Sequence, residues 1–124
     1  MTPKELAAEL AARLAAVLPP GFGARSDGGV VYVDAPDGFG SAASLDHLDP
    51  GEAEPQDLAD AAWNVLSMAQ DVVSETATEP WPSAAGPGRN LAEPGTRIEG
   101  RRIELYFGAE DQPALTLPPI DLDA

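Results

Sequence analysis

The sequence predicts an α+β domain: one antiparallel sheet of about 4–5 strands with two helices packed on one face, in the order α-β-β-α-β-β-β. Three observations predict it. Two segments, 2–18 and 55–78, carry apolar residues at spacings of three and four, the helical period. Short runs rich in Val, Ile, Tyr and Phe lie between and after them, bounded by Gly and Pro. The length of 124 residues suits a single domain, 1–124.

In the first helix Thr2 can cap, Pro3 fits the first helical position, and Glu5 completes a capping box with Thr2. Leu6, Leu10, Leu14 and Val17 or Leu18 share one face, and Glu9 and Arg13 pair on another. Pro19-Pro20-Gly21 stops the helix. Val30, Val31, Tyr32 and Val33 make 29–35 an interior strand, apolar on both faces. Ala35-Pro36-Asp37-Gly38 is a turn, because proline presets φ and glycine accepts a positive one. A weaker strand from about Phe39 to Leu48 completes a hairpin. The second helix follows an acidic connection, with Asp57 and Asp60 in its first turn and a stripe of Leu58, Ala62, Val65 or Leu66, Ala69, and Val72 or Val73. Trp63 on its flank reads as core, with a partner anchor as the alternative.

Residues 82–95, with Pro82, Pro87, Pro94 and three glycines, read as a long loop. Thr96 to Ile98 and Arg101 to Phe107 then flank Glu99-Gly100 as a two-residue hairpin turn. That register sets Arg97 opposite Arg102, a like-charge pair that needs neutralising. Pro113 to Pro119 reads as an edge strand, and 120–124 as an acidic tail. The halves share a loose pattern, a helix and then a hairpin ending in Leu45-Asp46-His47-Leu48-Asp49 or Pro119-Ile120-Asp121-Leu122-Asp123, which raises an internal repeat without proving one.

Composition excludes several function classes. Twenty-one acidic residues against 7 basic ones leave a net charge of −14, so the chain is not expected to bind nucleic acid. It has no cysteine, which removes disulfides, thiolate catalysis and Cys-type zinc sites. His47 is the one histidine. No leader-like h-region and no run of 18 apolar residues occur, so the expected location is the cytoplasm, with no membrane partner. Abundant Ala, Gly, Pro and Arg fit a G+C-rich bacterial genome.

Few constellations carry chemistry. Gly21-Phe22-Gly23 and Gly28-Gly29 precede a strand, the reverse of the order a dinucleotide site needs. Asp46, His47, Asp49, Glu52 and Glu54 are the densest acidic cluster, but their spacing matches no calcium loop, and a solvated loop is the plainer reading. Ser41 or Ser44 with His47 and Asp46 or Asp49 lacks the nucleophile-elbow context. No catalytic, metal or cofactor residues are therefore assigned, and an enzyme is not expected. The basic residues concentrate late, as Arg89, Arg97, Arg101 and Arg102. Neighbouring carboxylates such as Glu99 and Glu104 account for them, or they hold an anionic partner group such as a peptide carboxylate. Trp81, held extended between Pro80 and Pro82, either packs on the domain or binds a partner. Trp81, Arg97, Arg101 and Arg102 are the candidate partner-binding residues.

The element order and the acidity resemble the secretion-chaperone-like α+β fold, a family of small acidic, often dimeric proteins that hold a partner polypeptide. The resemblance covers most of the chain through those two features and transfers no residue assignment. It implies a protein-binding module, chaperone-like, engaging a basic or apolar segment of another protein and forming a homodimer. The other reading is an acidic inhibitor or immunity-type protein that blocks a basic enzyme or nucleic-acid-binding protein.

Overall fold

Thr2 and Glu5 do close the capping box: the Glu5 N–H donates to Thr2 Oγ1 and the Thr2 N–H to Glu5 Oε1, each at 3.1 Å. Helix α1 runs from there over Pro3–Val17 and buries Leu6, Leu10 and Leu14. The computed structural model describes residues 1–48, 53–78, 81–82 and 91–122. Helix α2 spans Pro55–Ala77 with its own reciprocal box between Glu54 and Asp57, and it stops where Thr78 turns left-handed at φ 55°. Among the described residues no helix is long and apolar enough to cross a membrane.

The strands are β1 (Gly23–Asp27), β2 (Val30–Asp34), β3 (Gly40–Ser44), β4 (Pro94–Glu99), β5 (Arg102–Gly108) and β6 (Pro113–Asp121). They form two antiparallel three-stranded sheets, β1-β2-β3 and β4-β5-β6, not one sheet of four or five strands. The order is α-β-β-β-α-β-β-β. Strand β1, Gly-Ala-Arg-Ser-Asp, has no apolar alternation and is half-buried or exposed throughout. Its partners make it a strand: it pairs with β2 from Gly23↔Asp34 to Asp27↔Val30 and packs on α1. α2 spans the two sheets, packing on β3 of one and β4 of the other.

The core sits between the helices and the inner sheet faces. Leu6, Leu10, Leu14, Leu58, Leu66 and Ala69 meet Val31, Val33, Ile103, Leu105, Phe107, Leu117 and Ile120. Along β5 burial alternates strictly, with Ile103, Leu105 and Phe107 inward.

The halves repeat one plan, and each leans on the other. α1 packs on β1 and β2 of its own half and on β6 of the second. α2 packs on β4 and β5 of its own half and on β2 and β3 of the first. Both first hairpins turn on a positive-φ glycine, Gly28 at 58° and Gly100 at 63°. Both close with the same bond past the third strand, Leu45 N–H to Gly29 O at 2.7 Å and Leu122 N–H to Arg101 O at 2.8 Å. Around those turns Gly23-Ala24-Arg25-Ser26-Asp27-Gly28 falls on Gly95-Thr96-Arg97-Ile98-Glu99-Gly100. Val31, Val33 and Ala35 fall likewise on Ile103, Leu105 and Phe107, all buried.

Four further expectations change. The second-half turn is Gly100-Arg101, one residue later than expected, so Glu99 faces Arg102 and Arg97 faces Glu104. The acidic tail expected over 120–124 is strand as far as Asp121, with Ile120 and Leu122 buried, while 123–124 lie outside the described residues. Of the loop expected over 82–95, residues 94 and 95 belong to β4 and Ala92 is buried, while 83–90 lie outside the described residues. Trp63 is 39% exposed, with its indole N–H donating to Pro94 O at 2.9 Å. That bond pins β4 to α2 and leaves the outer ring edge in solvent.

Candidate functional site

The four candidate partner-binding residues do not form one surface feature. Trp81 is half-buried, its ring 5.5 Å from that of Phe107 at 59°. Its N–H donates to Ser74 Oγ at 3.2 Å, and the Ser74 hydroxyl donates back to Trp81 O at 3.4 Å. Arg97 donates to Glu99 Oε2 and Glu104 Oε2 at 2.8 Å and to Glu110 Oε1 at 3.2 Å. The Glu104 hydrogen bond and charge, with Glu99 behind them, hold its guanidinium above the ordinary range. Burial, with Glu110 next, pushes the adjacent Tyr106 phenol up. Arg102 lies in register with Glu99 and Asp121, so a carboxylate stands on each side of it. Arg101 is an exposed turn residue. Arg89 lies outside the described residues.

The acidic segment gives no assembled site among the described residues. Ser44 engages Asp46, accepting its N–H at 3.2 Å and donating to Oδ2 at 3.4 Å. His47 is exposed and borders a shallow hollow with Asp57, Asp60 and Asn64. No group of three or more potential metal ligands forms among the described residues, and Asp49 and Glu52 lie outside them.

A different place gathers apolar surface, negative charge and unpaired backbone: the cleft between α2 and β3. Residues paired across an antiparallel ladder share a face, so Ser41 and Ala43, opposite buried Val33 and Val31, point toward the helices. They are small. The matching strand β6 presents Leu117 and Ile120 at its inner positions, opposite Leu105 and Ile103. The deficit beside α2 leaves a cleft of about 360 Å³, bordered by Met68 and Val72 and by Asp71 and Glu75, one helical turn apart. Among the described residues neither carboxylate has a cationic partner. Phe39 stands at the mouth, 76% exposed. Its N–H donates to Asp37 Oδ1 at 3.0 Å and its carbonyl accepts from Ala35 N–H at 2.7 Å. A turn bonded at both ends therefore holds the ring outward. Gly40 beside it is obligatory, because a Cβ there would stand 2.5 Å from Val33 O.

β3 is also an open edge. The bonds Leu45 N–H to Gly29 O and Ala35 N–H to Phe39 O set the ladder's alternation, so β3 residues 39, 41, 43 and 45 bond to β2. The backbone N–H and C=O of Gly40, Ala42 and Ser44 point the other way. Among the described residues nothing bonds to them there. Chemically the cleft offers an apolar wall, two carboxylates and a strand edge, which is binding equipment. The sequence reading missed it because Phe39 sits in an ordinary turn and the small residues of β3 carry no periodic signal. No family model, curated protein or solved structure matches the chain.

Proposed function

We propose that the chain is a small acidic protein-binding module that takes a basic, partly apolar segment of a partner protein into the cleft between α2 and β3. The observation that carries this reading is the solvent-facing Phe39 at the mouth of a cleft whose helical wall carries Asp71 and Glu75. An exposed aromatic on a bonded turn is the kind of anchor that dominates small interfaces. The net charge of −14 steers cations toward it and repels nucleic acid. The proposal moves the contact away from Trp81 and Arg97, since the first packs on Phe107 and the second holds three carboxylates. A chaperone-like holder and an acidic inhibitor would both use such a cleft. They differ in kinetics: the holder exchanges many segments loosely, whereas the inhibitor keeps one target for long residence times.

Titration calorimetry with synthetic peptides tests the reading. Peptides mixing Arg or Lys with apolar residues should bind, and charge-reversed versions should not. Phe39→Ser should weaken binding by about tenfold, the size of one modest hot spot. Raising ionic strength should weaken it further, since surface charge is screened beyond about 10 Å at 0.1 M salt. Equal binding of both peptide sets, or no effect of Phe39→Ser, refutes the proposal.

A further inference from the structure

The molecule already contains an example of how such a helix–strand interface is filled. Where α1 meets β6, the Arg13 side chain is mostly buried and all three nitrogens of its guanidinium donate hydrogen bonds. Its Nε donates to Pro118 O at 2.7 Å, one terminal nitrogen to Pro119 O at 2.8 Å, and the other to the Glu9 carboxylate and to Glu9 O at 3.0 Å. One arginine therefore joins a helix carboxylate to the outward carbonyls of an edge strand. Those β6 positions are prolines, which have no N–H to offer a further strand. The edge is closed twice over.

The counterpart interface, α2 against β3, has the complementary half of this arrangement. Its helix sets two carboxylates, Asp71 and Glu75, on the cleft and has no arginine. Ser41 and Ala43 match Leu117 and Ile120, so the residue of β3 that stands where β6 has Pro118 and Pro119 is Ala42, which keeps an outward N–H. Resting on the proposed protein-binding function, we infer that the partner segment lies extended along the outer edge of β3 as a fourth strand of the first sheet. It sets an arginine into the cleft against Asp71 and Glu75, as Arg13 sits against Glu9. Backbone pairing to Gly40, Ala42 and Ser44 supplies affinity without sequence preference, which is the usual division of labour in strand addition. The arginine supplies specificity: its planar fork reaches a carboxylate and a carbonyl together, which the single ammonium of lysine does less well. Phe39 covers the next apolar residue of the segment.

A second copy of the chain fits worse. Its β3, Gly-Ser-Ala-Ala-Ser, brings no cation, and pairing two such edges sets two acidic clefts against each other in a molecule of charge −14.

The test uses the full chain and a random twelve-residue phage-displayed peptide library. Selection should enrich one fixed arginine with apolar residues at alternate positions. A synthetic peptide of that sequence should slow hydrogen exchange of the Gly40, Ala42 and Ser44 amides at least tenfold, leaving Ser41 and Ala43 little changed. Replacing its arginine by lysine should weaken binding several-fold. Ala42→Pro copies the closed edge of β6 and should abolish binding. If that variant fails to fold, Asp71→Asn with Glu75→Gln tests the cleft without touching the strand and should remove the preference for arginine. Peptides selected without arginine, or bound equally by the variants, overturn strand addition while leaving a Phe39-dependent binding module intact. Failure to enrich any peptide overturns both readings. Concentration-dependent dimerisation that protects the same amides without peptide overturns the partner in favour of a second copy.

Discussion

Replacing Arg13 by Gln is the sharpest test of how the halves hold together. Arg13 is the side chain of α1 that hydrogen-bonds β6, spanning more than one hundred residues of sequence. The variant loses two hydrogen bonds from a charged donor to Pro118 O and Pro119 O and one ion pair with Glu9. Carbonyl bonds of this kind contribute about 1 kcal/mol each, and an exposed i,i+4 pair about 0.3–0.5 kcal/mol. The Arg13 side chain is 17% exposed and Glu9 47%, so the ion pair takes the lower end of that range. The sum is roughly 2 kcal/mol. With an unfolding entropy of about 2.1 cal/mol/K per residue, that lowers the thermal midpoint by about 8 °C. Circular dichroism melts of wild type, Arg13→Gln and Arg13→Lys at one salt concentration measure it. Lysine keeps the charge but cannot reach both carbonyls, so it should recover less than half of the loss. A change under about 2 °C for Arg13→Gln would refute the account of Arg13 as the clamp between halves.

Three other outcomes follow from the same geometry. Thr2 hydrogen bonds hold the Glu5 carboxyl below its usual 4.5, so the stability it contributes is complete above that pH and is lost as pH falls through the lower, folded value. Glu5→Gln keeps the capping box and cannot titrate, so wild type and variant should lose stability with different profiles below 4.5 and in parallel above it, as melts across pH would record. Gly95→Ala should cost about 1–3 kcal/mol in urea unfolding, because its Cβ would run into the Tyr106 ring, and Tyr106→Ala in the same chain should recover part of that cost. The thermal midpoint should rise with added sodium chloride, since 21 acidic groups against 7 basic ones repel within a Debye length, and a flat response would mean that local pairing already balances the charge.

What the sequence revealed tracks the strength of its local signals. Both helices were legible because a first-turn Pro and an apolar stripe agree at 3 and at 55, with the Thr2–Glu5 box marking the first and acidic first-turn residues the second. β5 was legible because Ile103, Leu105 and Phe107 alternate with polar residues. β1 was not, since Gly-Ala-Arg-Ser-Asp becomes a strand through its neighbours. The sequence pattern places the internal correspondence at 45–49 and 119–123, whereas the folded register matches Leu45 to Leu122 and carries its clearest echo in residues 23–28 and 95–100. Without β1 that echo had no strand to belong to. Arg97 shows how one residue of register matters: moving the turn from Glu99-Gly100 to Gly100-Arg101 replaces a clash with Arg102 by an ion pair with Glu104. The cleft was hidden for a further reason. It arises from missing volume at Ser41 and Ala43, and an absence of side chain becomes informative only once the opposing helix is in place.

The placing of the two tryptophans has a spectroscopic consequence. Trp63 is bonded to the start of β4 and Trp81 lies against Phe107 of β5, while the first sheet contains none. Tryptophan emission therefore gauges the seating of α2 on the second sheet, whereas far-ultraviolet ellipticity averages over the whole backbone. If the interleaved halves melt as one unit, the two signals trace a single curve. A first half that loosens early would leave the fluorescence trace flat while ellipticity begins to fall, so the gap between the curves would measure how far the cooperativity of the halves extends.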